Sequence, residues 1–142
     1  MLWVHVPFYQ HQNGLNEIRN EICEKNGYVY EDYFFEHRGQ SLYYILKVKI
    51  NDVSSYVSYN NQLELVDTYQ GSVADIDSVK SDILKKYKKE VSKQDVKTLD
   101  IGYENGKFVY YVKVQNKNKL LYLYYNLNDG SFMKAIRIES DL

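Results

Sequence analysis

The chain has 142 residues, 44% of them hydrophobic and 26% charged, with a formal net charge of −1. That is enough apolar material for one domain or two very small ones, and the near-zero charge excludes a bulk electrostatic trap for nucleic acid. The single cysteine, Cys23, excludes an internal disulfide.

The first stretch, LWVHVPFY (residues 2–9), is apolar and aromatic. It is far shorter than the roughly 20 residues a membrane helix needs, and it lacks the basic segment and cleavage site of a signal peptide. It reads as a disordered leader, an edge strand, or the outer end of a membrane helix that begins upstream. Trp3, Phe8 and Tyr9 would suit a membrane interface. The only proline, Pro7, lies outside every predicted element.

A helix is predicted over residues 15–26, with Leu15, Ile18 and Ile22 on one face, Asn13 or Gly14 as its start and Gly27 as its stop. Strands follow over 28–37, 42–50, 53–59 and 63–68, separated by Arg38-Gly39-Gln40, Asn51-Asp52 and Asn60-Asn61. A second helix is predicted over 74–89, with Ile76, Val79, Ile83, Leu84 and Tyr87 forming its apolar stripe. Four more strands are expected over 96–103, 107–115, 119–127 and 131–138. Their turns, Asn105-Gly106 and Asn128-Asp129-Gly130 among them, carry strong hairpin signals.

The order α-β-β-β-β thus occurs twice, and the sequence repeats itself accordingly. GQSLYY (39–44) and YVSYN (56–60) return as GKFVYY (106–111) and YLYYN (122–126). Gly39 and Gly106 are 67 residues apart, Tyr56 and Tyr122 only 66, so one hairpin differs by a single residue.

No residues are spaced for catalysis or metal binding. His5, His11 and His37 are scattered, and neither C-x-x-C nor H-E-x-x-H occurs. The histidines therefore read as surface or capping residues. A Cys23–His37 pair is formally possible, but Cys23 sits on an apolar helix face without the basic neighbour that a reactive thiol requires. Glu31-Asp32 and Asp75/Asp77 read as solvated or helix-start charges. The run KKYKK (85–89) would suit anionic lipid or cell-wall polymer, and equally the negative end of a helix.

Sixteen tyrosines are the stronger lead. One helix covers one face of a small sheet. The other face of the last sheet, with Tyr111, Tyr122 and Tyr124, must meet the first repeat, meet a partner, or stay partly wet, which the tyrosine hydroxyl tolerates.

The stretch FVYYVKVQNKNKLLYLYYNLNDGSFMKAIRI (108–138) resembles a PepSY-like domain, with Asn126-Leu127-Asn128-Asp129-Gly130 standing where such repeats carry a D-x-x-T-G turn. Two units in tandem resemble the TseB-like cell-wall elongation regulators of Gram-positive bacteria, over residues 15–139. The resemblance implies an α+β fold of two helix-plus-antiparallel-sheet, cystatin-like units, at 14–71 and 72–140, after a membrane-proximal leader or anchor remnant at 1–13. It implies a non-enzymatic binding module without cofactor or metal, acting on the extracytoplasmic face of the membrane. Its partner would be a penicillin-binding transpeptidase and its effect the tuning of peptidoglycan synthesis, with a single-pass anchor in the full-length form and no role for nucleic acid. The family's membrane helix has no counterpart here, and LWVHVPFY stands where its outer end would be. PepSY modules elsewhere imply an alternative, inhibition of an extracellular protease, in which the tip at residues 128–131 enters the cleft.

Overall fold

The computed structural model of the protein describes residues 7–116 and 118–139, without the side chains of residues 7–13, Asp32 and Asn116. The fold is α+β, with two helices and two four-stranded antiparallel sheets. The N-terminal half comprises α1 (Pro7–Asn26), β1 (Val29–Arg38), β2 (Leu42–Ile50), β3 (Val53–Asn60) and β4 (Leu65–Tyr69). The C-terminal half comprises α2 (Ile76–Lys86), β5 (Asp100–Glu104), β6 (Lys107–Asn116), β7 (Lys119–Asn126) and β8 (Phe132–Glu139). Each sheet is a meander with its strands side by side in chain order.

In the N-terminal half, α1 ends at Gly27, whose φ of 70° is the left-handed stop expected of a glycine. The helix lays Leu15, Ile18 and Ile22 on the sheet, against Tyr44, Leu46, Val48, Val57 and Tyr59. The period-two alternation of β2 and β3 makes this possible, because even-numbered residues of β2 and odd-numbered residues of β3 share the helix side. Ile22, Leu46 and Val57 are almost fully buried, and each such side chain contributes about 2 kcal/mol.

The C-terminal half repeats this plan. Val79 and Ile83 of α2 pack on Phe108, Tyr110, Val112, Leu121, Leu123 and Tyr125. Buried tyrosine hydroxyls find partners there: Tyr110 Oη donates to the Ala74 carbonyl at 2.7 Å and Tyr125 Oη to Asp82 Oδ2 at 2.6 Å.

Several predicted boundaries move. α1 includes residues 7–14, so Pro7 lies within a helix and Gly14 inside it instead of at its start; proline at the described start breaks no hydrogen bond of the described helix. Residues 1–6, with Trp3 and His5, lie outside the described residues. β4 begins at Leu65 instead of residue 63, because Asn60 Oδ1 accepts from the Gln62 and Glu64 N–H groups and Leu63 adopts φ 61°. α2 begins after Asp75: the Ala74 carbonyl, which would accept from the Ser78 N–H in a longer helix, accepts from Tyr110 Oη at 2.7 Å, and the Ser78 N–H donates to the Asp75 carbonyl instead. β5 is confined to residues 100–104, because the turns before it run on to Lys97, whose N–H donates to the Gln94 carbonyl at 3.4 Å and whose carbonyl accepts from Lys80 Nζ at 2.8 Å.

The repeat register is also corrected. Tyr44 faces α1 and Tyr110 faces α2, whereas Tyr111 points to the opposite side of its sheet. The structural counterpart of Tyr44 is therefore Tyr110, and the 66-residue offset holds through β2/β6 as well as β3/β7. The extra residue lies in the β1–β2 link: Arg38 pairs with Leu42 across three residues, Glu104 with Lys107 across two. Matching glycine to glycine slips the strands by one residue and reverses every face.

The halves meet through β5, which lies across the face of the first sheet turned away from α1. Tyr43 of β2 meets the Tyr103 ring edge-on at 5.0 Å, and Tyr103 Oη donates to Asp67 Oδ2 at 3.0 Å. Tyr33 Oη accepts from the Ile101 N–H at 2.7 Å and donates to the Ile101 carbonyl at 3.2 Å. One hydroxyl thus satisfies both backbone groups of Ile101 on the open edge of β5.

Candidate functional site

The sheet face opposite α2 is built by alternation on four strands. It carries Asp100, Gly102 and Glu104 from β5, Tyr111 and Lys113 from β6, Leu120, Tyr122 and Tyr124 from β7, and Lys134, Ile136 and Ile138 from β8. Antiparallel register sets Tyr111 opposite Tyr124, and Tyr122 between Lys113 and Ile136. The three candidate tyrosines are accordingly brought together. Tyr111 stacks on Tyr124 at 5.2 Å and on Tyr122 at 6.2 Å, with interplanar angles of 29° and 13°.

The two ends of this face differ. At one end the tip of the β1–β2 hairpin folds over Tyr111 and Tyr124. Phe35 contacts the Tyr111 ring at 6.3 Å, and His37 meets Tyr111 edge-on at 4.9 Å and Tyr124 at 6.2 Å. Tyr124 is only 3% exposed. Burial, reinforced by Tyr122, Asp100 and Glu104, pushes the Tyr111 phenol up to about 12. At the other end Tyr122 is half-buried, Ile136 is 37% exposed and Ile138 49% exposed. There a groove of about 250 Å³ runs between the Arg38-Gly39-Gln40 tip and the side chains of Tyr122, Ile136 and Ile138.

His37, expected at the surface, is fully buried. Its Nε2 lies 2.9 Å from Glu104 Oε2, and Lys134 Nζ donates to Glu104 Oε1 at 3.1 Å. Lys134 also sits over the Tyr124 ring at 5.0 Å, a favourable position for a cation. Two glycines make the room. A Cβ on Gly102 would stand 2.6 Å from His37 Nδ1, and one on Gly39 would overlap the Glu104 carboxylate. Here the absence of a side chain permits close approach. His37 Nδ1 is buried with no hydrogen-bond partner among the described residues. Burial pushes the nearby Asp100 carboxyl up, opposed in smaller measure by His37.

This cluster joins the halves by charge-assisted hydrogen bonds; with the ring sealed from solvent, an outside molecule reaches it only if the cover lifts. The signal for it was present in the sequence. Tyr33, Phe35 and His37 alternate on one face of β1, so His37 belongs to an aromatic stripe and not to a solvated turn.

The other candidate residues are dispersed. Cys23 packs partly buried against the first core on the α1 side, opposite the face that carries His37, and burial raises its thiol pKa despite Arg19. Lys85 and Lys86 end α2, and Lys86 pairs with Asp82 and covers the Phe132 ring. Glu31 accepts from Ser54 Oγ. Among the described residues no group of three or more His, Cys, Asp or Glu side chains is placed to hold a metal ion, and no helix is long and apolar enough to cross a membrane. No protein-family model, curated protein or solved structure matches the chain.

Proposed function

We propose that the protein is a non-catalytic binding module of two tandem PepSY-like units, which tunes peptidoglycan synthesis on the outer side of the cell membrane by contacting a penicillin-binding transpeptidase. The observation that carries this reading is the exposed end of the second sheet's outer face. There Ile136 and Ile138 stand exposed next to the half-buried Tyr122, beside a junction between two α-β-β-β-β halves. A rigid platform with an aromatic and aliphatic centre suits protein recognition. Regulation by such a contact requires different affinities for two states of the partner.

The test is affinity capture. The chain is immobilised and exposed to detergent-solubilised membranes of the source organism, with penicillin-binding proteins tagged by a fluorescent penicillin. A retained labelled band that is lost with Tyr122→Ser is expected. Its absence from membranes with active penicillin-binding proteins sinks the reading.

A second reading, inhibition of an extracellular protease, draws on the β7–β8 turn. Asp129 Oδ1 accepts from Ser131 N at 2.9 Å and from Ser131 Oγ at 2.7 Å, and Asn126 Nδ2 donates to Ser131 Oγ at 2.9 Å. A turn fixed this way loses little freedom on entering a cleft. Inhibition of a secreted protease by the purified chain, without transpeptidase capture, would favour it.

A further inference from the structure

We infer that β8 is an acceptor edge for a strand of a partner protein, and that the strand it takes carries apolar side chains at alternate positions with an acidic residue among them. The inference rests on the protein-binding reading and names the surface and the chemistry of what binds.

The two sheets have four edge strands, β1, β4, β5 and β8. β1 and β5 face each other, and Tyr33 occupies the backbone groups of Ile101. β4 has five residues, and its Asp67 is taken by Tyr103. β8 has eight residues, contains no glycine or proline, and pairs with β7 alone among the described residues. An antiparallel edge presents N–H and C=O groups from alternate residues, which is what an added strand requires.

Edges of this kind are usually guarded by charge. The two cations of β8 are engaged elsewhere: Lys134 on Glu104, and Arg137 on Glu90 through contacts of 2.8 and 3.1 Å. Ile136 and Ile138 are left as its exposed outer-face side chains.

An added strand would continue this face. Every second side chain would lie beside Ile136 and Ile138, over the groove that ends at the Arg38 tip. Charge then selects the partner. Glu104, the groove's carboxylate, is held by His37 and Lys134. Two exposed cations stand at the rim: Arg38, whose Nε donates to Glu36 Oε1 at 3.2 Å while its side chain stays 67% exposed, and Lys113 beside Tyr122. A carboxylate on the incoming strand would share the exposed Arg38 guanidinium with Glu36, whereas a basic strand meets Arg38 and Lys113 as like charges.

Peptides selected on the immobilised full chain from a random 12-residue display library supply the probe. The best binder is synthesised and titrated into the isotope-labelled protein. The expected result is an acidic, alternating peptide whose binding shifts the amide signals of residues 132–139. Affinity should fall at least about tenfold for the Ile136→Lys/Ile138→Lys variant and for a peptide N-methylated along one backbone edge only. It should fall about threefold for Arg38→Ala. Circular dichroism establishes that the variants are folded. No enriched peptide, shifts confined to other strands, or equal affinity of both N-methylated edges overturns the inference. Concentration-dependent broadening of the same amides without peptide assigns the edge to a second copy and also overturns it. The two readings separate cleanly. Transpeptidase capture that ignores the β8 variant keeps the regulator and removes the edge, and β8 peptide binding without capture does the reverse.

Discussion

The two sheets share one plan and meet different fates on the side away from their helices. In the first, Ile45 lies wholly buried beneath β5. At the matching place in the second stands Tyr111, partly exposed and stacked between Tyr122 and Tyr124. An aliphatic side chain occurs where water is excluded, and a phenol where water reaches the rim. The same template has become a closed layer in one half and a partly open platform in the other.

The largest effect should come from the seam between them. His37→Ala leaves Glu104 buried with one partner fewer and is expected to cost about 3 kcal/mol in urea unfolding. Replacing both residues, His37→Phe with Glu104→Leu, should return stability to within about 1 kcal/mol of the parent. A single variant as stable as the parent would mean that the cluster does not hold the halves together.

The matched pair offers the next contrast. Ile45→Ala should cost about 3 kcal/mol, as a cavity in a sealed layer does. Tyr111→Phe should change stability by no more than about 0.5 kcal/mol. Equal costs at the two positions would erase the distinction between closed and open faces.

The smallest effect is a pH dependence. Burial raises the folded-state pKa of Asp100, so the folded state binds this proton more tightly than the unfolded chain does. The contribution of Asp100 to stability should therefore fall as pH rises from the ordinary aspartate value, about 3.9, through the raised folded value. It runs against the opposite contributions of Glu90 and Asp129, and is read as the difference between the parent and Asp100→Asn. Asp100→Asn should remove that decline and be the more stable protein at neutral pH. Urea midpoints measured from about pH 3 to pH 7 check the sign, and a variant less stable than the parent at neutral pH would refute it.

The fold class, the element order and six of the eight strands could be read closely from the sequence, because alternation and Asn-Gly or Asp-Gly turns act locally. The misplacements of β4 and β5 came from turns within a few residues, and that of α2 from a partner far along the chain. The Tyr110 hydroxyl shortens α2 by occupying the Ala74 carbonyl, and no local pattern records that. The tyrosine trio was legible as a face, since alternation alone groups it. For His37 the alternation with Tyr33 and Phe35 marks the face, but the depth of its burial depends on Gly102 and Glu104, more than 60 residues away. Even the repeat, the plainest sequence feature, misled at one point. Identical glycines in turns of unequal length suggested a register that the helix-facing residues reject.

The hydroxyl of Tyr33 has a consequence for synthesis on the ribosome. The N-terminal half emerges first and can complete its sheet while the rest is still being made. When β5 follows, its raw edge finds a stopper already in place at Ile101. Made in the opposite order, the same edge would wait uncapped, open to any passing strand. With the halves in this order, the hydroxyl that caps Ile101 is made before the edge it caps.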